Sequence, residues 1–454
     1  MGVQRPCHAS KKGSRPTPNR TQSRLPLGKV GRRVVEGAFD GGDIASDGGV
    51  TLVRLVDERL GLTRAAAKAF DDERRAASVV HSMRSLLAQR VYGLCCGWED
   101  VSDHNTLRRD LVWQTAVGRD TELASAATLS RLDNAATTST AWALHGVLLE
   151  QFVASCKTAP AELVLDVDAT HIPLHGQQEH ANFNAHYDNY CYLPLYVFCG
   201  QDLLACVLRP SWRDPASIVS AVLKRLTDRL RQAWPSVRLI VRGDSGFSRP
   251  KVLRRLERWG IDYVLGVQKN PTLEWYSAVA ALEVEDRHRR SGRKERLIGE
   301  FSYAARSWGQ ERRVIARLEH GHQGADARFI VTTLQGDATE LYEQLYCARG
   351  EAENRIKEAQ LDLFGRRGSC HRYAANQMRL LLAGLAYTLM VNLRRLALKG
   401  TVLERACAST IRTKLLKVGA AVLRNTRRVR LMLASSHPLR EVFAAAVTRL
   451  AASP

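Results

Sequence analysis

Between residues 161 and 270 the chain runs through three strand-like segments, a helix, a strand, a helix and a strand, an order that sets a mixed α/β sheet at its centre. The strand candidates are Glu162–Asp168 (ELVLDVD), Tyr192–Cys199 (YLPLYVFC), Asp202–Leu208 (DLLACVL), Arg238–Arg242 (RLIVR) and Asp262–Val267 (DYVLGV). Amphipathic helices are expected from Pro215 to about Trp234 and from Pro250 to Trp259. In the first strand, alternation puts Val164, Asp166 and Asp168 on one face and Leu163, Leu165 and Val167 on the other. Asp168 ends that apolar run, and Asp244 stands just past the fourth strand in Arg242-Gly-Asp-Ser-Gly-Phe247. Open α/β sheets bind ligands at the carboxyl ends of their strands, where these two acids are expected. Paired hard oxygen ligands at such a place suit Mg²⁺ shared with waters and a phosphate.

A third acid lies on a long helix expected from about Ala338 to Leu363. Its apolar stripe is Leu341, Leu345, Ala348, Ala352, Ile356, Ala359 and Leu363. Beside that stripe runs a row of Tyr346, Arg349, Glu353 and Lys357, which sets one carboxylate between two cations and an aromatic. Taken alone, the row is equally an i, i+4 salt-bridge ladder.

Charge is concentrated at the two ends. Of a net +21, residues 1–33 carry +9 with no acid and residues 394–454 carry +11, leaving +1 for the 360 residues between. Basic ends on a near-neutral middle suit a polyanion, because each phosphate neutralised releases counterions. With 45% hydrophobic and 25% charged residues, the chain is neither wholly disordered nor fibrous. The apolar run Leu380–Leu393 has 14 residues, short of the roughly 20 that span a bilayer, and reads as a buried helix of a soluble intracellular protein. The ten cysteines form no C-x-x-C pair and are expected as reduced thiols.

The expected organisation is a flexible basic arm over 1–33, a mainly helical DNA-binding region over 34–160, the first part of a catalytic core over 161–270, a β-rich insertion over 271–335, the rest of the core over 336–393, and a basic helical region over 394–454. In the N-terminal region, Val80, Met83, Leu87, Val91 and Leu94 mark a helix stopped by Gly97. A second helix near Asp103 would complete a helix–turn–helix-like pair with Arg108 and Arg109 outward. The run Arg287–Arg296 (RHRRSGRKER) reads as a solvated loop.

Five segments, in this order, resemble the DDE transposases of bacterial insertion sequences, most closely their group 1 branch: Leu165-Asp-Val-Asp-Ala-Thr170, His175-Gly-Gln-Gln-Glu179, Tyr190-Cys-Tyr-Leu-Pro-Leu-Tyr196, Arg242-Gly-Asp-Ser-Gly-Phe247, and Tyr346-Cys-Ala-Arg-Gly-Glu-Ala-Glu-Asn-Arg-Ile-Lys-Glu358. The resemblance implies a ribonuclease H-like (retroviral integrase-like) catalytic domain in which Asp168, Asp244 and Glu353 are the catalytic metal ligands. It also implies two Mg²⁺ ions, for which Mn²⁺ substitutes, acting in phosphoryl transfer. Tyr346, Arg349 and Lys357 would contact DNA. The family's lysine seven residues after the glutamate is replaced by Gln360, with Lys357 one turn earlier. In related enzymes the insertion manages a hairpin or flipped base, and Trp308 is the candidate stacking residue. The implied partners are double-stranded DNA, as terminal inverted repeats and as target, and a second copy of the chain on paired ends. The implied location is the bacterial cytoplasm.

Other readings are weaker. Gly243-Asp-Ser-Gly246 superficially matches a serine-protease loop, but Phe247 stands where a glycine is needed. His171, His175, His180 and His186 have no common zinc spacing. A repurposed DNA-binding protein that no longer cuts, or a nuclease without strand transfer, shares all these motifs.

Overall fold

The computed structural model describes residues 24–452 apart from Pro215. Eight strands form its central sheet: β1 (Glu162–Ala169), β2 (Leu195–Cys199), β3 (Asp202–Val207), β4 (Arg238–Gly243), β5 (Asp262–Val267), β6 (Glu295–Tyr303), β7 (Arg312–Gly321) and β8 (Gly324–Thr332). Their order across the sheet is β6-β7-β8-β5-β4-β1-β2-β3. β4 runs parallel to both β1 and β5, while β2 and β3 fold back antiparallel at one side. Three parallel strands flanked by an antiparallel hairpin is the ribonuclease H-like arrangement expected from the sequence.

Parallel neighbours require crossovers, which the helices Val219–Ala233 and Pro250–Arg258 supply. Leu223, Leu226 and Leu230 of the first and Val252, Leu253 and Leu256 of the second bury the Leu163, Leu165 and Val167 face of β1. The other face is covered by Tyr373–Leu393, which is buried along nearly its whole length and packs against Met83–Cys96, Thr138–Ser155 and β3. By length and composition this helix could cross a membrane, but its apolar surface is taken up by the protein core, as its 14-residue apolar run suggested.

Several expectations about secondary structure are corrected. The insertion opens with a helix, Pro271–Ser291, started by the Asn270 side chain accepting from the Leu273 N–H and ended at Gly292, whose φ is +65°. It has no clean apolar stripe, because Trp275, Val279 and Leu282 point to solvent while Leu273 and Val284 are buried. Arg287–Arg296 is therefore the end of this helix and the start of β6 rather than a loop, with Arg287, Arg289 and Arg290 paired one turn back to Glu283, Glu285 and Asp286. The insertion's strands extend the central sheet, because β8 pairs antiparallel with β5.

At the N-terminus, residues 1–23 lie outside the described residues, while Leu25–Val30 and Arg33–Gly37 form a hairpin where an arm was expected. Gly31, at φ +59°, supplies the left-handed conformation its two-residue turn needs. Met83–Cys96 is stopped by Gly97 as expected and capped by Ser82, but Val80 lies outside it, and from Ser85 onward the helix is buried on all sides. The next helix is only His104–Leu107, and Arg108 and Arg109 share Glu122 at 2.8 and 2.7 Å, so the helix–turn–helix reading fails.

The C-terminal region is not all helical. Ala420–Arg424 and Val429–Leu433 form a hairpin, and Ala420 and Ala421 pair with Ala45 and Ile44. The two ends of the chain thus meet. Asp47, 1% exposed, accepts from Lys417 Nζ at 2.6 Å, Trp98 Nε1 at 2.7 Å and Trp113 Nε1 at 3.1 Å.

Candidate active site

The register of β4 on β1 aligns Gly243 with Val167, so Asp168 and Asp244 emerge side by side where the two parallel strands end. Asp168 Oδ1 accepts from the Ala169 N–H, and Asp244 Oδ1 from the Gly246 N–H, both at 2.8 Å. Burial and the charge of Asp244 push the Asp168 carboxyl up to about 7, against the opposing pull of Arg349. Two crowded carboxylates with one nearby guanidinium make a local excess of negative charge.

The segment carrying the third acid is helical from Ala338 to Asp362 but not one regular helix. It is a π-helical stretch over Leu341–Tyr346, a tight turn over Cys347–Arg349, an α-helix over Gly350–Lys357, and a second π-helical stretch over Glu358–Asp362. This departure leaves Ala348 exposed, although the regular stripe placed it inward, while Ala352, Ile356, Ala359 and Leu363 are buried as expected. The second row does face the acids. Arg349 reaches Asp168 Oδ2 at 3.4 Å and Glu353 Oε1 at 2.8 Å. Tyr346 is half-buried next to β5, where a Cβ on Gly266 would lie 2.8 Å from its Oη and 2.9 Å from the Ser245 nitrogen. Only glycine fits there. Lys357 is exposed and has no ion-pair partner among the described residues. Gln360 is buried.

The three acids do not close up as a regular helix suggested. Among the described residues no three His, Cys, Asp or Glu side chains form a metal-binding group, because Arg349 stands between Asp168 and Glu353. The Asp168–Asp244 pair fits a hard divalent cation in donor type and in its unrelieved charge. Glu353, 43% exposed at its side chain, stays on the solvent side of Arg349.

Asp166 has a different task. Arg242 donates from Nε and Nη2 to its two carboxylate oxygens at 2.5 and 2.8 Å, and from Nη1 to the Leu345 carbonyl. This buried fork binds β1, β4 and the start of the glutamate segment together. Trp308 is corrected from stacking residue to core residue. It is 5% exposed, edge-on to Tyr303 and covered by Arg312, near the end of β5 remote from Asp244.

A cavity of about 410 Å³ adjoins Asp244 and is lined by His186, Tyr187, Arg209, Trp212 and Arg213 among others. Of these only His186 was weighed from the sequence, as a zinc ligand, and set aside. The available signal was Pro210-Ser-Trp-Arg-Asp-Pro215, a proline-bounded loop carrying an aromatic and a cation between a strand and a helix. His171 stacks on Tyr187 with ring centroids 4.4 Å apart.

The Asp168 shift predicts a pH effect. Its folded-state value of about 7 lies above the ordinary 3.8, so its protonated form supports the fold below about pH 4 and that support is lost as pH rises through about 7. Between about pH 5 and about pH 8 the melting temperature of the wild type should therefore fall more steeply than that of Asp168→Asn. Millimolar Mg²⁺ should reduce that difference. Parallel melting curves for the two proteins would refute the assignment.

The family model described as Transposase DDE domain group 1 matches residues 27–454. No curated protein matches the chain. Among solved structures it is similar to the piggyBac transposase in a synaptic complex with hairpin DNA, determined by cryo-EM, at 10% identity and TM-score 0.38, over 82% of this chain and 80% of that one. On the family match, which spans nearly its whole length, the chain belongs to the DDE group 1 transposases.

Proposed function

We propose that the protein is the transposase of a bacterial insertion sequence, which binds the terminal inverted repeats of its element, cleaves there and joins the ends to target DNA. The observation that carries this reading is the pairing of Asp168 and Asp244 at the ends of adjacent parallel strands, with Arg349 and Glu353 of the glutamate segment against them. Asp168, Asp244 and, after leaving Arg349, Glu353 would hold two Mg²⁺ or Mn²⁺ ions. Bound there, the ions would supply an activated attacking oxygen and stabilise the departing one. In the first step water attacks a phosphodiester, the P–O3′ bond breaks and a free 3′-hydroxyl leaves. In the second, that hydroxyl attacks a target phosphodiester and displaces another 3′-hydroxyl, so no energy cofactor is consumed. Arg349, released from the carboxylates, and Lys357 would hold phosphates flanking the cut, with Tyr346 beside them. A homodimer on paired ends, acting in the cytoplasm, completes the reading.

The ion pairs from Arg349 to Asp168 and Glu353 favour a second reading, in which the guanidinium stays in place and the protein binds DNA without cutting. One experiment separates the two. DNA carrying the element's own ends is incubated with Mg²⁺, Mn²⁺ or EDTA, with binding, nicking and joining to a plasmid scored together. Metal-dependent nicking at the ends supports the transposase, and nicking without joining makes it a nuclease. Specific binding with no cutting in either metal supports the non-catalytic protein.

A further inference from the structure

The hairpin Ala420–Leu433 is a cationic ribbon fixed at its base and free at its tip. Ala420 and Val422 are buried, Ala420 pairs with Ala45, and the Val422 N–H donates to the Asp43 carbonyl at 2.9 Å. Beyond that anchor everything from Leu423 to Arg430 is exposed. The turn is held by Asn425, whose Oδ1 accepts from the Arg427 and Arg428 N–H groups at 3.0 and 2.9 Å. Arg424 donates to Gln114 Oε1 at 3.0 Å, tying the ribbon to the helix Leu111–Val117.

Carboxylates neutralise the exposed arginines of the ladder on Pro271–Ser291 and of the Arg108–Glu122–Arg109 group. Arg427, Arg428 and Arg430 have no carboxylate partner among the described residues, and residues 405–440 contain no Asp or Glu. Asp120 lines a groove together with residues 424–429. A run of cations with no acid in its own segment suits a polyanion, because each phosphate neutralised releases counterions. Five residues per strand give a ribbon about 17 Å long, and a two-stranded ribbon fits the roughly 12 Å major groove of B-DNA.

We propose that this hairpin seats on duplex DNA, with Arg427, Arg428 and Arg430 on phosphates along one groove. The proposal rests on the DNA-binding part of the function proposed above and adds the element that makes the contact. The test uses the full chain, a duplex carrying the element's ends, and the triple variant Arg427→Ala/Arg428→Ala/Arg430→Ala. Binding constants are measured across a salt series, with melting temperature recorded as a control. Each phosphate contact contributes about 0.9 to the slope of log K against log salt, so the variant's slope should be shallower by about 3. The melting temperature should not change, and a triple lysine variant should recover the slope.

An unchanged slope and affinity in the alanine variant, with normal binding by the wild type, would overturn the hairpin assignment alone. If the wild type does not bind duplex in a salt-dependent way, the DNA reading falls and the hairpin proposal with it. Retention of the wild type but not the variant on phosphatidylserine vesicles, with equal DNA binding, would assign the ribbon to an anionic surface and overturn the proposal.

Discussion

Asp244→Asn is expected to abolish end cleavage, by about a thousandfold or more, while DNA binding stays within about twofold of wild type. The substitution keeps the side chain's size and its oxygen acceptor for the Gly246 N–H, so the loop after β4 retains its hydrogen bond. It removes the charge that stands beside Asp168, and with it half of the pair that would hold a cation. Loss of a single ligand charge acts on the chemical step far more than on phosphate contacts elsewhere on the surface. Single-turnover cleavage and band-shift binding on the same preparation check this result. Cleavage within tenfold of wild type would mean that Asp244 is not a ligand.

The largest expected effect on stability is from Arg242→Met. Arg242 and Asp166 are 9% and 6% exposed at their side chains, and the guanidinium meets both carboxylate oxygens. Removing one partner of a buried pair leaves the other charge desolvated, at a cost of about 3–5 kcal/mol. The Leu345 carbonyl also loses its donor, so the glutamate segment is released where it leaves the sheet. The double variant Asp166→Leu/Arg242→Met should recover most of the stability without restoring cleavage, because it removes the stranded charge but not the need for the tether. Urea denaturation of single and double variants distinguishes these effects. A double variant as unstable as the single would show that the loss comes from packing and not from charge.

Much of the catalytic half was legible because its signals are local. Each run of β1 to β5 alternates or is apolar throughout, and Asp168 and Asp244 stand out because each interrupts or ends such a run. The two acids on β1 were distinguishable only by position: Asp166 lies inside the strand, where burial demands a partner, and Asp168 at its end. That the partner is Arg242 depends on the register of β4, which no local pattern specifies. Long-range pairing also hid the attachment of β8 to β5. The helix Pro271–Ser291 was missed because its apolar residues are spread around it, and both terminal hairpins because arginine-rich composition masked short alternations. Trp308 was misread because a loop tryptophan can fold inward, here against Tyr303 and Arg312. The convergence of Tyr346, Arg349 and Glu353 followed from helical spacing, but the position of Arg349 between two carboxylates required three dimensions.

The junction of the chain's ends has a consequence for synthesis. Ile44 and Ala45 gain their strand partner, and Asp47 its lysine, only when residues 417–421 have left the ribosome. Until then the growing chain holds an acid without its countercharge and a strand edge without its neighbour, so the N-terminal region cannot reach its final form as it emerges. A product truncated before residue 417 can contain all three acids and still lack this closure.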